Sequence, residues 1–264
     1  MKKYLVIGNP IDHSLSPKLH NYWFKKYNID ASYDKKKTND EDLQSIIFDV
    51  KKKKLNGINV TVPYKKVVIP YLDKLSPEAE QTQSVNTIVL SNNNLVGHNT
   101  DIAGFAKAIK SSNFNIEGKK AFILGAGGVV PSIIFALKEM KVSQIIVSNR
   151  TRNKAENLKS QFNNLEVLDW GGIVDFDIII NATSLGLNKE TIKLDFSKSG
   201  KNKLFYDVIY NPSETNFLKE GKKLGNITEN GKWMFIYQAS EAFKLWHGIE
   251  PQVNRDALNI LEND

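Results

Sequence analysis

The residues in this chain that most directly imply chemistry form a glycine-rich turn framed by two apolar runs. Ala121-Phe-Ile-Leu124 leads into Gly125-Ala126-Gly127-Gly128; a helical stretch follows, then Gln144-Ile-Ile-Val-Ser148 and Asn149-Arg150-Thr151. Strand, turn, helix and strand in that order bring backbone N–H groups at a helix N-terminus close to a pyrophosphate, an approach that side chains on the turn would obstruct. The end of the second strand, where a carboxylate would accept from the ribose 2′-OH of NAD, carries Arg150, with Arg152 and Lys154 beyond it. Guanidinium and ammonium groups attract a 2′-phosphate, so the implied cofactor is NADP. Val130 stands where a third small residue is usual, and Pro131 follows it. Because proline lacks an N–H and is tolerated only in a first helical turn, the helix is expected to begin near Gly127 or Gly128.

Upstream lie four polar clusters: Ser14-Leu-Ser16, Asn59-Val-Thr61-Val-Pro-Tyr-Lys65, Val85-Asn86-Thr87 and Asn99-Thr100-Asp101. Each has a structural reading of its own. Ser16 before Pro17 suits an N-cap, Asn86 a turn, Asp101 a helix start and Lys65 a solvated surface. Together they put hydroxyls, an amide, an ammonium and a carboxylate near the C-terminal edges of parallel strands, where α/β sheets bind ligands.

The elements that must position these groups follow from the hydrophobic pattern. Strands are predicted over Tyr4 to Gly8, Ser32 to Lys35 and Ile58 to Val62, with helices over Pro17 to Tyr27 and Asp40 to Lys53. Lys65 to Tyr71 and Glu78 to Gln83 read as short helices; Thr87 to Leu90 and Leu95 to His98 read as a hairpin around Asn92-Asn-Asn94. Beyond Arg150, Glu166 to Leu168, Asp177 to Asn181 and Leu204 to Tyr210 continue as strands, with a helix over Glu214 to Leu224. Phe235 to Trp246 and Pro251 to Leu261 are amphipathic helices with no strand between them, so they are expected to pack back on the first domain. The fold class is therefore α/β with two domains, a mainly parallel first domain over residues 1–100 plus 238–264 and a doubly wound Rossmann-type domain over 101–237.

Composition narrows the function. The 264 residues are 41% hydrophobic and 25% charged, ordinary for a globular protein. The net charge of +7 comes from scattered lysines; the one dense run, Lys51 to Lys54, closes a helical stretch where cations suit the dipole, so no nucleic-acid partner is expected. The chain has no cysteine, which removes disulfides, thiolate metal sites and cysteine nucleophiles together, and no metal is expected. Asn9, Pro10 and Asp12 interrupt the N-terminal apolar run, and no other run approaches spanning length. A cytoplasmic protein, monomer or homodimer, with small-molecule partners is expected.

These clusters, with Asn181-Ala-Thr-Ser184, Tyr210-Asn-Pro212, Gly231 and Gln238, resemble the shikimate dehydrogenase family in order over nearly the whole chain. The resemblance implies NADPH-dependent, reversible reduction of 3-dehydroshikimate to shikimate in aromatic amino-acid biosynthesis. It makes Lys65 the acid/base and Asp101 its partner, and Ser14, Ser16, Thr61, Asn86, Tyr210 and Gln238 the substrate pocket. On the cofactor side it implies Gly125, Ala126, Gly127, Gly128 and Val129 at the pyrophosphate, with Asn149, Arg150, Thr151 and Lys154 at the 2′-phosphate. Val208 and Gly231 would lie near the nicotinamide. Rival readings are a quinate-oxidising or NAD-using paralogue and a regulatory protein that senses NADP without turnover. The last predicts a damaged Lys–Asp pair or an added DNA-binding segment, and the sequence has neither.

Overall fold

The computed structural model describes residues 1–188, 190–197 and 199–262. The chain divides into two compact units, one formed by Met1–Gly104 with Ile236–Asp264 and the other by Phe105–Phe235.

In the first unit β1 (Lys2–Gly8), α1 (Ser16–Lys26), β2 (Ala31–Lys37), α2 (Asp40–Lys51) and β3 (Gly57–Val60) are followed by a two-residue strand β4 (Lys74–Leu75) and α3 (Pro77–Thr82). A hairpin of β5 (Thr87–Ser91) and β6 (Asn94–His98) completes the sheet, ordered β2-β1-β3-β5-β6-β4. β1 pairs parallel with β2 and β3, whereas β5 is antiparallel to both β3 and β6. Asn92 and Asn93 take φ of 46° and 63° at the hairpin turn, a left-handed conformation asparagine tolerates. Leu43, Ile46, Ile47 and Val50 of α2 pack with Ile7, Ile58 and Ile88 into a core that covers one face.

The second unit holds α4 (Asp101–Ser111), which begins in the first unit, then β7 (Lys120–Leu124), α5 (Val130–Glu139), β8 (Gln144–Ser148), α6 (Arg152–Gln161) and β9 (Leu165–Leu168). β10 (Ile178–Asn181), β11 (Leu204–Asp207), α7 (Asn216–Lys223) and β12 (Ile227–Glu229) follow. Its sheet, β9-β8-β7-β10-β11-β12, is parallel throughout, and the order reverses between β7 and β10. That is the doubly wound arrangement, in which ligands bind beyond the strand ends at the reversal. β7 and β10 are buried along nearly their whole length, as strands covered on both faces must be. α8 (Lys232–His247) crosses the division at Phe235, and α9 (Arg255–Glu262) closes the first unit, where Phe243 and His247 pack on Phe24 of α1.

Several local expectations are corrected. Ser16 is the first helical residue and not the N-cap; the cap position is Leu15, and the Ser14 hydroxyl accepts the Ser16 N–H at 3.4 Å. α5 starts at Val130, later than the glycines, because Pro131 at its second position still lies in a turn that needs no N–H. Lys65 to Ile69 forms turns, with a single 3₁₀ turn only at Ile69–Tyr71. β11 stops at Asp207 where the Asp207 carboxylate takes up the Ile209 N–H, and α8 begins at Lys232, ahead of the expected Phe235. The short β4 and β12, unexpected from the pattern, are edge strands of two and three residues, too short to show alternation.

Candidate active site

β1 and β3 run side by side, so the segments that follow them leave from one edge of the first sheet: the Thr61 N–H donates to Ile7 C=O at 2.9 Å and the Asn9 N–H to Val62 C=O at 3.0 Å. β5 is antiparallel, which brings its start to the same edge, and β6, antiparallel again, ends there, with Thr87 opposite His98. Thus Ser14, Ser16, Thr61, Lys65, Asn86 and Asp101 all follow or precede strands at one edge. The correction concerns Asn86, which stands at the start of an antiparallel strand and not at the end of a parallel one.

Three of these residues meet directly. Lys65 Nζ lies 2.5 Å from Asp101 Oδ2, with only 12% and 8% of the two side chains exposed. Asn86 Nδ2 donates to the other carboxylate oxygen, Oδ1, at 2.9 Å and to Thr100 Oγ1 at 2.9 Å. Asn86 Oδ1 accepts the Thr100 N–H at 2.8 Å, which fixes which way the amide faces. Lys65 is held through its backbone as well, since its C=O accepts the Val85 N–H at 2.8 Å. A nearly buried ion pair survives only when its remaining lone pairs are satisfied, and here the amide supplies that bond. The result is an ammonium with protons to give, oriented by a carboxylate. Lys66 is exposed.

The second unit gathers the cofactor candidates at the reversal of its sheet. Gly125 has φ of +110°, and a Cβ there would stand 2.7 Å from Ala182 C=O, so β7 can turn beside the end of β10 only with glycine. A Cβ on Gly127, by contrast, would meet nothing nearer than 3.9 Å. The space over that exposed turn is open, and the N–H groups of Ala126, Gly127 and Val129 have no backbone partner among the described residues. An open cradle of donors at the start of α5 fits a dinucleotide pyrophosphate. At the end of β8, Asn149 Nδ2 donates to Thr151 C=O at 2.8 Å. Arg152 is committed to Asp169 at 2.5 Å and Glu156 at 2.9 Å, while Arg150 and Lys154, both exposed, form no ion pair among the described residues. The cations left for a phosphate are those two.

Val208 and Gly231 touch. A Cβ on Gly231 would overlap Val208 C=O at 2.1 Å, and the Gly231 N–H donates to Ile209 C=O at 3.0 Å. Tyr210 follows β11 in the second unit, its ring 4.7 Å from that of Phe235, and Gln238 is half-buried on α8 in the first. Tyr210 is therefore the one substrate candidate outside the first unit.

The sequence reading marked Asn59 and Asn181 within their motifs without a holding role and passed over Asp207 and Thr215. Asn59, buried in β3, donates to Asn86 C=O at 3.1 Å and Thr87 Oγ1 at 2.9 Å; Asn181 donates to Asp207 Oδ1 at 3.0 Å, and Thr215 to Asp207 Oδ2 at 2.6 Å. Burial pushes the Asp207 carboxyl above its ordinary range, and these donors together with the Ile209 N–H make it tolerable inside. A polar residue inside a short, otherwise apolar strand, as in Ile58-Asn59-Val60, was the available signal. Among the described residues no cluster of three or more metal-binding side chains exists and no helix is long and apolar enough to cross a membrane.

Two family models match the chain. Residues 6–88 match the shikimate dehydrogenase substrate binding domain, and residues 106–212 match shikimate / quinate 5-dehydrogenase. Shikimate dehydrogenase (NADP(+)) of Pelagibacter ubique is 55% identical over 262 residues, covering 99% of each chain. The crystal structure of the Thermus thermophilus shikimate 5-dehydrogenase, in complex with NADP(H) and shikimate, superposes with a TM-score of 0.90 at 31% identity, over 99% of this chain and 98% of that one. The Listeria monocytogenes shikimate 5-dehydrogenase, in complex with shikimate and NAD, gives a TM-score of 0.88 at 31% identity, over 99% and 96%.

Proposed function

The chain belongs to the shikimate dehydrogenase family, and from that membership we propose how its residues reduce 3-dehydroshikimate to shikimate with NADPH, a step of aromatic amino-acid biosynthesis. The protein is an NADP-dependent oxidoreductase acting on a CH–OH group. Bound NADPH supplies the hydride; the chain must supply the proton, the orientation and the binding energy.

Lys65 gives its proton to the oxygen that becomes alkoxide as the carbonyl is reduced, and takes it back when shikimate is oxidised. Asp101 holds the ammonium in place through one carboxylate oxygen while Asn86 holds the other. The observation that carries this reading is the Lys65–Asp101 contact of 2.5 Å at one strand edge. Ser14, Ser16, Thr61, Asn86, Tyr210 and Gln238 bind the substrate's hydroxyls and carboxylate, and a pocket of such groups rejects analogues that leave them unpaired. Residues 125–129 take the pyrophosphate, while Asn149, Arg150, Thr151 and Lys154 take the 2′-phosphate. Val208 and Gly231, tightly apposed, form a backbone surface for the nicotinamide. Residues 1–100 with 238–264 are the substrate domain and 101–237 the NADP domain. The partners are small molecules, the working form is a monomer or homodimer, and the location is the cytoplasm, where NADP is available.

The test is an absorbance assay at the nicotinamide band with shikimate or quinate, each with NADP or NAD. Shikimate with NADP should give the highest kcat/KM. Turnover of quinate with NAD alone would overturn the reading.

A further inference from the structure

The first unit contains a run of buried hydrogen bonds that leads to the Lys65–Asp101 pair from the edge strand β2. Tyr33 is fully buried in β2. Its ring stacks on His20 with centroids 4.3 Å apart and planes within 1°. The Asn21 side chain grips its backbone at both ends, accepting the Tyr33 N–H at 3.0 Å and donating to the Tyr33 C=O at 2.8 Å. A phenol held by a stacked ring and a two-point amide clamp has little freedom, so its hydroxyl is a fixed donor. That hydroxyl donates to Asn59 Oδ1 at 2.6 Å.

The consequence passes from side chain to side chain. With Oδ1 occupied by Tyr33, Asn59 presents Nδ2 to β5, where it donates to Thr87 Oγ1 at 2.9 Å. Thr87 Oγ1 in turn donates to Asn86 Oδ1 at 3.1 Å. That bond agrees with the sense the Thr100 N–H and Asp101 give the Asn86 amide; the flipped amide would set an oxygen against the carboxylate and an N–H₂ against the Thr100 N–H. We propose that Tyr33 is a positioning residue for the reaction, reinforcing through Asn59 and Thr87 the orientation that the Thr100 N–H gives the Asn86 amide, and so steadying the carboxylate that holds Lys65. The inference rests on the reading of Lys65 and Asp101 as the proton-transfer pair.

Tyr33→Phe keeps the ring stack and the backbone clamp and removes only the donor, leaving a buried Asn59 oxygen unpaired. Steady-state oxidation of shikimate by NADP is measured for Tyr33→Phe, Asp101→Asn and the double variant, with thermal melts alongside. Tyr33→Phe should lower kcat about tenfold, the effect of roughly one lost buried hydrogen bond, with the KM for NADP unchanged and the melting midpoint shifted only a few degrees. In the Asp101→Asn background the same substitution should alter kcat by less than about twofold, because there is no carboxylate left to orient against. An undiminished kcat in Tyr33→Phe, or an equal fall in both backgrounds, overturns the inference. Wild-type turnover in Asp101→Asn alone overturns the reading of the pair instead, and the inference with it. Should Tyr33→Phe fail to fold, Thr87→Val removes the middle link and carries the same comparison with the same expected coupling.

Discussion

A lysine beside a carboxylate is common on protein surfaces; what distinguishes Lys65 and Asp101 is that the pair is nearly buried and that a third side chain, Asn86, closes the carboxylate's second oxygen. Lys65→Ala should therefore lower kcat by about 10²- to 10⁴-fold, the usual worth of a positioned proton donor, while leaving the KM for NADP nearly unchanged. Near-normal turnover in that variant would remove the acid/base role. At the other site Arg150 has no carboxylate among the described residues to neutralise it, whereas Arg152 is paired twice. Arg150→Ala should raise the KM for NADP roughly tenfold and leave that for NAD within about twofold, the loss of one charge-assisted contact. Equal losses with both cofactors would show that the guanidinium does not read the 2′-phosphate. Which residue types were present at these positions was legible in the chain. Which arginine was free was not, because Asp169 pairs with Arg152 across a loop that no periodicity describes.

Elements carry the sites by where they end. β7 turns at Gly125 against the residues just past β10, and that contact needs both a positive φ and the absence of a Cβ. Gly125→Ala should destabilise the protein by about 1–3 kcal/mol and weaken NADP binding, since the turn must shift away from Ala182 before a side chain fits. Fluorescence titration with NADP and a thermal melt measure the two effects, and an unchanged Kd would show that the turn is not the phosphate cradle. The strong elements, β7 with its turn and β8, lie where the apolar runs placed them. Element ends were harder to read: Ser16 became a first helical residue because Ser14 took its N–H, and β11 stopped at Asp207, whose own carboxylate claims the Ile209 N–H. Side-chain capping of this kind decides boundaries, and it depends on neighbours that are set only after folding.

For the whole molecule, the aromatic packing around α1 and α8 makes stability depend on pH. His20 is fully buried, neither ring nitrogen has a hydrogen-bond partner among the described residues, and burial holds its pKa down at about 3; His247, packed against Phe243, is lowered to about 4, first by burial and then by the charge of Lys2. A histidine whose folded pKa lies below its unfolded value near 6.5 supports the fold fully above pH 6.5 and withdraws that support as the pH falls toward the folded value. The urea midpoint should thus fall between pH 7 and pH 4, with a loss on the order of 3 kcal/mol from His20. His20→Phe should flatten that dependence, and a midpoint equally sensitive to acid in the variant would exclude His20 as its cause. The sequence by itself determined the α/β alternation, the glycine turn with its basic strand end, and the set of polar clusters, because local periodicity and turn chemistry are written in adjacent residues. Only the tertiary structure decided that β5 of the predicted hairpin lies antiparallel beside β3, that Asn86 therefore meets Asp101 and Lys65 at one edge, and that Tyr33 reaches the same network from another strand. Those contacts join residues distant along the chain, and strand direction and register, which no local pattern encodes, bring them within hydrogen-bonding distance.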